Sequence, residues 1–186
     1  MSNKRFHFAG LIILALIQIF IPSKMIIDQE RTLKYGKEFR FKTAPVDPVD
    51  PFRGRYVLLN FEDYKVPVSP GSVWVWGEEV YAEITTGADG FSGFSKISKI
   101  KPRKDVDFLK VKITSVPFSE NYVYVSLLMD RFYMEEFKAP IAERIFSESV
   151  ADSSSVTYGV LMVKNGEGVL KDVQIDGVSL VELTNP

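Results

Sequence analysis

The chain has 186 residues, which is enough for a membrane anchor and one domain with a sizeable hydrophobic core. It contains no cysteine and a single histidine, His7, so disulfides, thiol nucleophiles and histidine-based triads or zinc sites are excluded from the domain. Residues 1–42 carry eight Lys/Arg and three Asp/Glu, whereas residues 43–186 carry fifteen and twenty-one. Because an acidic domain gives no support to nucleic-acid binding, we expect no nucleic-acid partner. Since the domain lacks cysteine and histidine, we also expect no enzymatic activity, no cofactor and no metal ion.

The first element is an apolar run from Phe6 to Ile21, sixteen residues of which two are polar. As a helix it spans roughly 24 Å, short of the roughly 30 Å hydrocarbon core of a bilayer, and Met25 to Ile27 lengthen it. The alternative is a cleaved signal peptide, but Pro22-Ser23-Lys24 lacks the small residues of a cleavage site. The pattern predicts a single-pass anchor at residues 1–27 that contacts the lipid bilayer through residues 6–27.

Residues 28–42 are predicted to form an exposed basic connector with a first strand at Glu38 to Thr43, where aromatic and charged residues alternate. The β-domain is expected to occupy residues 43–186. Three prolines between Pro45 and Phe52 predict an extended arm rather than a helix.

After this arm the sequence reads G-R-Y-V-L-L-N-F, from Gly54 to Phe61. Glycine allows a positive φ or a close backbone approach at the strand entry. Val57, Leu59 and Phe61 share one strand face, and the other face is also largely apolar. We therefore predict a central strand from Tyr56 to Phe61.

This segment resembles the signature of the GDYXXLXY protein family, which it matches at Gly54, Tyr56 and Leu59. Arg55 stands where the family has Asp, and Phe61 stands where it has Tyr. The resemblance continues upstream into the Asp-Pro run and covers nearly the whole chain after residue 25.

Two later segments are also similar to the family: the strand Asp130 to Tyr133, which leads into Glu135, and the final Lys164 to Gly177. The resemblance implies a bacterial, membrane-anchored, extracytoplasmic β-domain and implies no reaction. It places the anchor in the cytoplasmic (inner) membrane, with the C-terminal domain in the periplasm or outside. The positive-inside rule predicts the opposite side, since six basic residues follow the span and two precede it, but long domains translocate despite flanking charge.

The rest of the domain is dominated by β patterns, with turn signals between them. One helix is predicted at Ala139 to Val150, where Pro140 suits the first turn and Ile141, Ile145 and Phe146 form an apolar stripe. Asn165-Gly166 predicts a type I′ hairpin. A loop is expected at Lys65 to Ser72, and the remaining strands are predicted at Val73–Trp76, Val80–Thr85, Phe91–Ile97, Phe108–Thr114, Asn121–Tyr133, Ser155–Val163, Gly168–Ile175 and Val178–Leu183. The predicted fold is an all-β sandwich or open barrel of about eight to ten strands with one short helix, preceded by a single transmembrane helix.

Two sets of residues are candidates for a site. The family motif, with a structural or a binding role, comprises Asp47, Asp50, Pro51, Arg53, Gly54, Arg55, Tyr56, Leu59 and Phe61. The possible binding residues are Trp74, Trp76, Tyr133 and Glu135. The acids of the arm are expected to cap turns or pair with Arg53 and Arg55 rather than hold a cation, and strand aromatics are more often core than ligand cage.

Three hypotheses of function follow. The first is an interaction or accessory module for an integral membrane protein or another envelope component. The second is a small-molecule or lipid-binding β-domain that uses the aromatic residues with Arg53 and Arg55. The third, remote one is a Ser/Lys membrane peptidase built on Ser23, for which Lys110 is a poor base because it is expected to face outward.

Overall fold

The computed structural model describes residues 2–44, 56–103, 105–118 and 120–185, and in the first helix it describes side chains from residue 10 onward. In chain order these residues form α1 (Ser2–Tyr35), β1 (Lys37–Ala44), β2 (Tyr56–Leu58), β3 (Asn60–Phe61), β4 (Tyr64–Pro67), β5 (Glu79–Thr86), β6 (Ser92–Ser98), β7 (Phe108–Ser115), β8 (Tyr122–Leu127), β9 (Arg131–Tyr133), α2 (Ala139–Ala151), β10 (Thr157–Lys164), β11 (Glu167–Ile175), β12 (Val178–Ser179) and α3 (Leu180–Leu183).

The N-terminal helix, counted over Gly10–Tyr35, is long enough to cross a membrane and contains an 18-residue window that is apolar enough to do so. Within its most apolar 18-residue window no residue is buried inside the protein. A signal sequence meets the same criteria of length and composition, so the helix is compatible with membrane anchoring.

The helix continues to Tyr35, where the sequence predicted an exposed connector. Lys24 and Asp28 form an ion pair of 2.6 Å one turn apart, which supports the helix locally. Thr32 is only 6% exposed because α1 packs against β10 and β11. This tertiary contact, which the local sequence does not encode, carries the helix directly into the domain.

A glycine closes the junction between α1 and β1. The Gly36 N–H donates to the Thr32 carbonyl at 2.8 Å. A Cβ at this position would lie 2.5 Å from that oxygen and 3.1 Å from the Val163 backbone. Residue 36 therefore has no space for a side chain, and α1 enters the domain in close backbone contact with β10.

The strands form two five-stranded sheets and a two-stranded ribbon. The first sheet has the order β12-β11-β10-β1-β3, the second has the order β4-β8-β7-β5-β6, and β2 pairs with β9 in the ribbon. The outer strands of the second sheet approach each other, since a Cβ on Gly93 of β6 would lie 3.7 Å from the Tyr64 ring of β4. The prediction of an all-β domain with a sandwich or open-barrel form is confirmed as a nearly closed, barrel-like arrangement.

One hydrophobic core joins the two sheets. The Phe41 ring of β1 stacks on the Phe94 ring of β6 with a centroid distance of 5.4 Å, and Tyr64 meets both rings edge-on. Leu109, Val111 and Ile113, which alternate with lysines and a threonine along β7, are buried. The predicted hairpin also forms: Asn165 and Gly166 have φ of 54° and 91° between β10 and β11.

Several predicted elements differ from the structure. The motif strand from Tyr56 to Phe61 is not one central strand, because β2 pairs with β9 and β3 pairs with β1. Val73 to Trp76 is not a strand but a loop, and Asn121 to Tyr133 divides into β8 and β9 at residues 128–130. In the described residues there are twelve strands, several of only two or three residues.

Smaller differences concern element boundaries and one helix face. The predicted loop at Lys65 to Ser72 begins as strand β4, and the last predicted strand ends after two residues and continues as α3. Helix α2 forms where predicted and has Pro140 in its first turn, but Ile141 is 42% exposed. Its buried face consists of Ala139, Ala142 and Phe146, because the helix packs on its small residues.

Candidate functional site

Six residues of the family motif fall outside the described residues. They are Asp47, Asp50, Pro51, Arg53, Gly54 and Arg55. The predicted extended arm and its internal ion pairing lie in the same segment and stay predictions.

Two further motif residues belong to the core. Leu59 is 3% exposed, and its N–H donates to the Asp130 carbonyl at 2.8 Å. Phe61 is also 3% exposed, and its ring covers Gly159 of β10 so closely that a Cβ there would lie 2.8 Å from it. Because the chain passes from the ribbon to the first sheet at this point, Leu59 and Phe61 hold the two together.

Tyr56 and Tyr133, both predicted site residues, lie together on the β2–β9 ribbon. They are directly opposite each other, with ring centroids 5.6 Å apart. The Arg131 guanidinium lies 5.3 Å from the Tyr56 ring centroid, and contact with Tyr133 raises the pKa of Arg131. Tyr133 is 66% exposed, so this cluster presents an aromatic surface supported by a cation.

Glu135 lies next to this cluster, in the segment that leads to α2. Its carboxylate pairs with Lys138 at 3.5 Å, and its carbonyl accepts from the backbone N–H groups of Lys138 and Ala139 at the helix start. Glu135 therefore has a local structural role at the entry to α2. Phe137, two residues later, is 89% exposed. The sequence does not indicate it as a surface residue, since no periodic pattern marks an isolated aromatic residue in a loop.

The two tryptophans lie in a loop between β4 and β5 that we call the tryptophan loop, residues 73–76 with sequence V-W-V-W. Val73, Val75 and Trp76 are exposed by 76%, 57% and 72%. Within this loop Trp74 alone packs against the hydrophobic core, and its buried Nε1–H has no hydrogen-bond partner among the described residues. The sequence pattern is typical of a strand, but here it forms an exposed apolar segment.

Polar contacts hold the tryptophan loop in place. Lys99 pairs with the Glu78 carboxylate at 2.7 Å and lies 5.2 Å from the Trp74 ring centroid. The Val75 N–H also donates to Glu78, and the Gly77 N–H donates to the Ile113 carbonyl. The hydrogen bond from Lys99 lowers the pKa of Glu78, so the carboxylate is charged at neutral pH. These contacts hold the backbone of the tryptophan loop against β7 and the segment after β6.

A groove that the sequence did not predict lies between α1 and the β10–β11 hairpin. Its volume is about 570 Å³. It extends along the helix from Met25 to Thr32 and is closed on the other side by residues 164–169. The separation of its two walls by more than 130 residues of sequence explains why no local signal marks it.

The residues suggested for catalysis have partners within the fold. Ser23 lies inside α1 and donates its hydroxyl to the Ile19 carbonyl at 2.8 Å, whereas Lys110 pairs with Glu79 on the outer face of the second sheet. Asp63, one of the acids near the motif, accepts from the Thr114 hydroxyl. Among the residues whose placement is described, no group of three or more His, Asp or Glu side chains is arranged to hold a metal ion.

Comparison with known proteins identifies the family of the chain. Neither a search of curated proteins nor a search of solved structures finds a match. A family model matches residues 18–173, which include β2, β3, β9, β10 and most of β11. The match spans well over half of the sequence, and the chain therefore belongs to the GDYXXLXY protein family.

Proposed function

We propose that this protein is a single-pass protein of the bacterial inner membrane whose β-domain, outside the cytoplasm, serves as an interaction or accessory module for an integral membrane protein or another envelope component. No catalytic step is part of the proposal. The observation that carries it is the tryptophan loop, an apolar surface that the fold leaves uncovered.

Three of the four side chains in that loop are more than half exposed, although each is apolar. Exposed contiguous apolar residues are typical of interaction sites, and tryptophan is enriched among the residues that dominate binding energy. Trp74 and Glu78 hold the loop in one arrangement, so little ordering is needed on binding. These features favour a preformed protein-binding surface.

The junction with the anchor supports the same function. Helix α1 reaches the domain without a flexible linker, and Gly36 and Thr32 fix its last turn on β10. A domain held in this way keeps a constant orientation relative to the membrane. Such an arrangement suits a companion of a membrane-embedded protein, because the binding surface of that protein lies at a fixed distance from the bilayer.

The second candidate, a small-molecule or lipid-binding domain, receives less support at the residues expected for it. The three cavities described in the domain, of about 570, 280 and 460 Å³, are lined by residues other than Trp74, Trp76, Tyr133 and Glu135. Three of the four side chains of the tryptophan loop are exposed to solvent, whereas small-molecule sites enclose most of their ligand in a concave pocket.

Affinity purification of the tagged full-length chain from gentle detergent at native expression tests the proposal. We expect a stoichiometric membrane or envelope protein with the wild type and its loss with Trp76→Ala. Phe118→Ala is the matched control, because Phe118 is 97% exposed but lies in a different loop, between β7 and β8. Recovery of the chain alone, or equal loss of the partner with both variants, contradicts the proposed role of the loop.

The side of the membrane is tested separately. The chain has no cysteine, so Phe118→Cys introduces a unique thiol. We expect a membrane-impermeant maleimide to label it in cells with a permeabilised outer membrane and an intact inner membrane. Labelling only after the inner membrane is opened places the domain in the cytoplasm, as the flanking charges alone predict.

A further inference from the structure

The groove between α1 and the β10–β11 hairpin lies at a defined depth if α1 is in a membrane. The apolar part of the helix ends at Ile27, and the ion pair between Lys24 and Asp28 marks the level at which charged side chains begin. The groove is lined from Met25 to Thr32, a rise of roughly 10 Å along the helix. A headgroup layer occupies about 5–8 Å on each side of the hydrocarbon core, so the end of the groove at Met25 lies at the level of the phospholipid headgroups.

The groove is lined by two cations, Arg31 and Lys164, and by two carboxylates, Asp28 and Glu167. Arg31 and Lys164 both line it, one from the helix and one from the hairpin. Within the described part of the chain neither forms an ion pair, and Lys164 lies over the Tyr35 ring with its ammonium 5.1 Å from the centroid. Asp28 forms its ion pair with Lys24 at 2.6 Å and also attracts Arg31 electrostatically. One cation on each wall of the groove, at headgroup depth, suits a phosphate group.

The remaining lining matches the rest of a phospholipid headgroup. Gln29 and Asn165 supply amide groups, and Glu167 supplies a carboxylate that can accept from an amine or a hydroxyl. Met25, at the membrane end, is 60% exposed and offers an apolar contact to the start of an acyl chain. A volume of about 570 Å³ lies in the range of small-molecule sites.

We propose that this groove binds one phospholipid of the surrounding leaflet, with Arg31 and Lys164 holding the headgroup phosphate. The proposal rests on the membrane anchoring in the proposed function, but not on the protein partner. It assigns the groove, rather than the aromatic residues, as the ligand site of the chain.

Native mass spectrometry of the full-length protein in detergent tests the proposal. The probes are dioleoyl phosphatidylethanolamine, dioleoylglycerol, which lacks the phosphate, and inorganic phosphate, which lacks the lipid. We expect retention of one phosphatidylethanolamine molecule and no retention of the other two. Equal retention of dioleoylglycerol shows that only the acyl chains bind, and binding of inorganic phosphate alone shows an anion site without lipid; either result overturns the proposal.

The double variant Arg31→Gln/Lys164→Gln removes both positive charges while keeping polar side chains. We expect the dissociation constant for phosphatidylethanolamine to rise about tenfold or more. Lys171→Gln is the matched control, since it neutralises a cation on β11 that pairs with Glu38 and does not line the groove. Equal affinity of the double variant and the control overturns the assignment.

Carbonate extraction of membranes separates this inference from the anchoring. If the wild-type chain is extracted, anchoring fails and the lipid site fails with it. If the chain stays in the membrane and binds no phospholipid in the mass spectrometer, the site alone is wrong.

Discussion

Gly159→Ala tests whether the family motif residue Phe61 is a structural part of the core. Gly159 lies on β10, and a Cβ there would be 2.8 and 2.9 Å from two atoms of the Phe61 ring and 3.1 Å from Leu170 Cδ1. Favourable carbon–carbon contacts begin near 3.5 Å, so the ring has to move by about 0.7 Å. Because both neighbours are themselves packed in the core, this movement is resisted.

The magnitude follows from two opposing effects. Overpacking in a well-packed core costs about 1–3 kcal/mol. Replacing glycine by alanine also restricts the unfolded chain, which stabilises the fold by about 0.4–1 kcal/mol. We expect Gly159→Ala to lower the free energy of unfolding by about 1–2 kcal/mol, read from urea denaturation of the detergent-solubilised chain by tryptophan fluorescence.

A double-mutant cycle makes the test specific for Phe61. Phe61→Leu shortens the side chain that occupies the space, so Gly159→Ala combined with it is expected to cost less than the sum of the two single changes. Gly93→Ala is the control, because its nearest neighbour, the Tyr64 ring, is 3.7 Å away, at ordinary contact distance. Wild-type stability of Gly159→Ala, or strict additivity in the cycle, would refute the argument.

Three further predictions concern other positions. Gly36→Ala places a Cβ 2.5 Å from the Thr32 carbonyl oxygen. We expect this variant to lower the free energy of unfolding by about 1–3 kcal/mol and to increase protease cleavage near residue 36. Unchanged cleavage contradicts a rigid junction between α1 and β1. Tyr64→Phe removes a buried hydroxyl for which the described part of the chain offers no hydrogen-bond partner, and we expect a gain of about 1 kcal/mol in the free energy of unfolding by urea at pH 7. Burial raises the pKa of Tyr64 above its ordinary value of 10.0, so above pH 10 the unfolded state loses the phenol proton while the folded state keeps it. The free energy of unfolding of the wild type is therefore expected to be constant below pH 10 and to decrease above it, whereas that of Tyr64→Phe decreases less. Parallel pH profiles of the two proteins contradict the assignment. Glu78→Gln removes the carboxylate that pairs with Lys99 and accepts from the Val75 N–H. We expect a changed tryptophan fluorescence emission and an unchanged urea midpoint of unfolding. Glu83→Gln is the control, because its carboxylate pairs with Lys96 at a distance of 3.9 Å.

The family membership and the tryptophan loop have different consequences for function. The family model spans the motif and the ribbon, where Leu59 and Phe61 are buried and Tyr56 lies against Tyr133. The motif residues described here therefore support the passage of the chain between two sheets. The exposed apolar surface lies elsewhere, in a loop whose side chains do not belong to the signature.

Local sequence determined the elements whose signals are short in range. The pair Asn165-Gly166 forms the predicted turn because asparagine and glycine tolerate positive φ better than other residues. Alternation along β7 predicted its buried face, since one side of the strand meets the core. Pro140 marked the start of α2, and the apolar run after residue 5 predicted a membrane-compatible helix.

Tertiary structure decided the features that depend on distant partners. Residues 28–35 are helical because β10 and β11 pack against them, and Val73 to Trp76 stays out of the sheets because only Trp74 reaches the core. The motif strand divides at Leu59, whose backbone pairs with Asp130 from a segment about seventy residues later. The groove likewise exists only where the helix meets a hairpin from the end of the chain. Hydrophobic periodicity reports whether a residue is buried, but it does not report which part of the chain covers it.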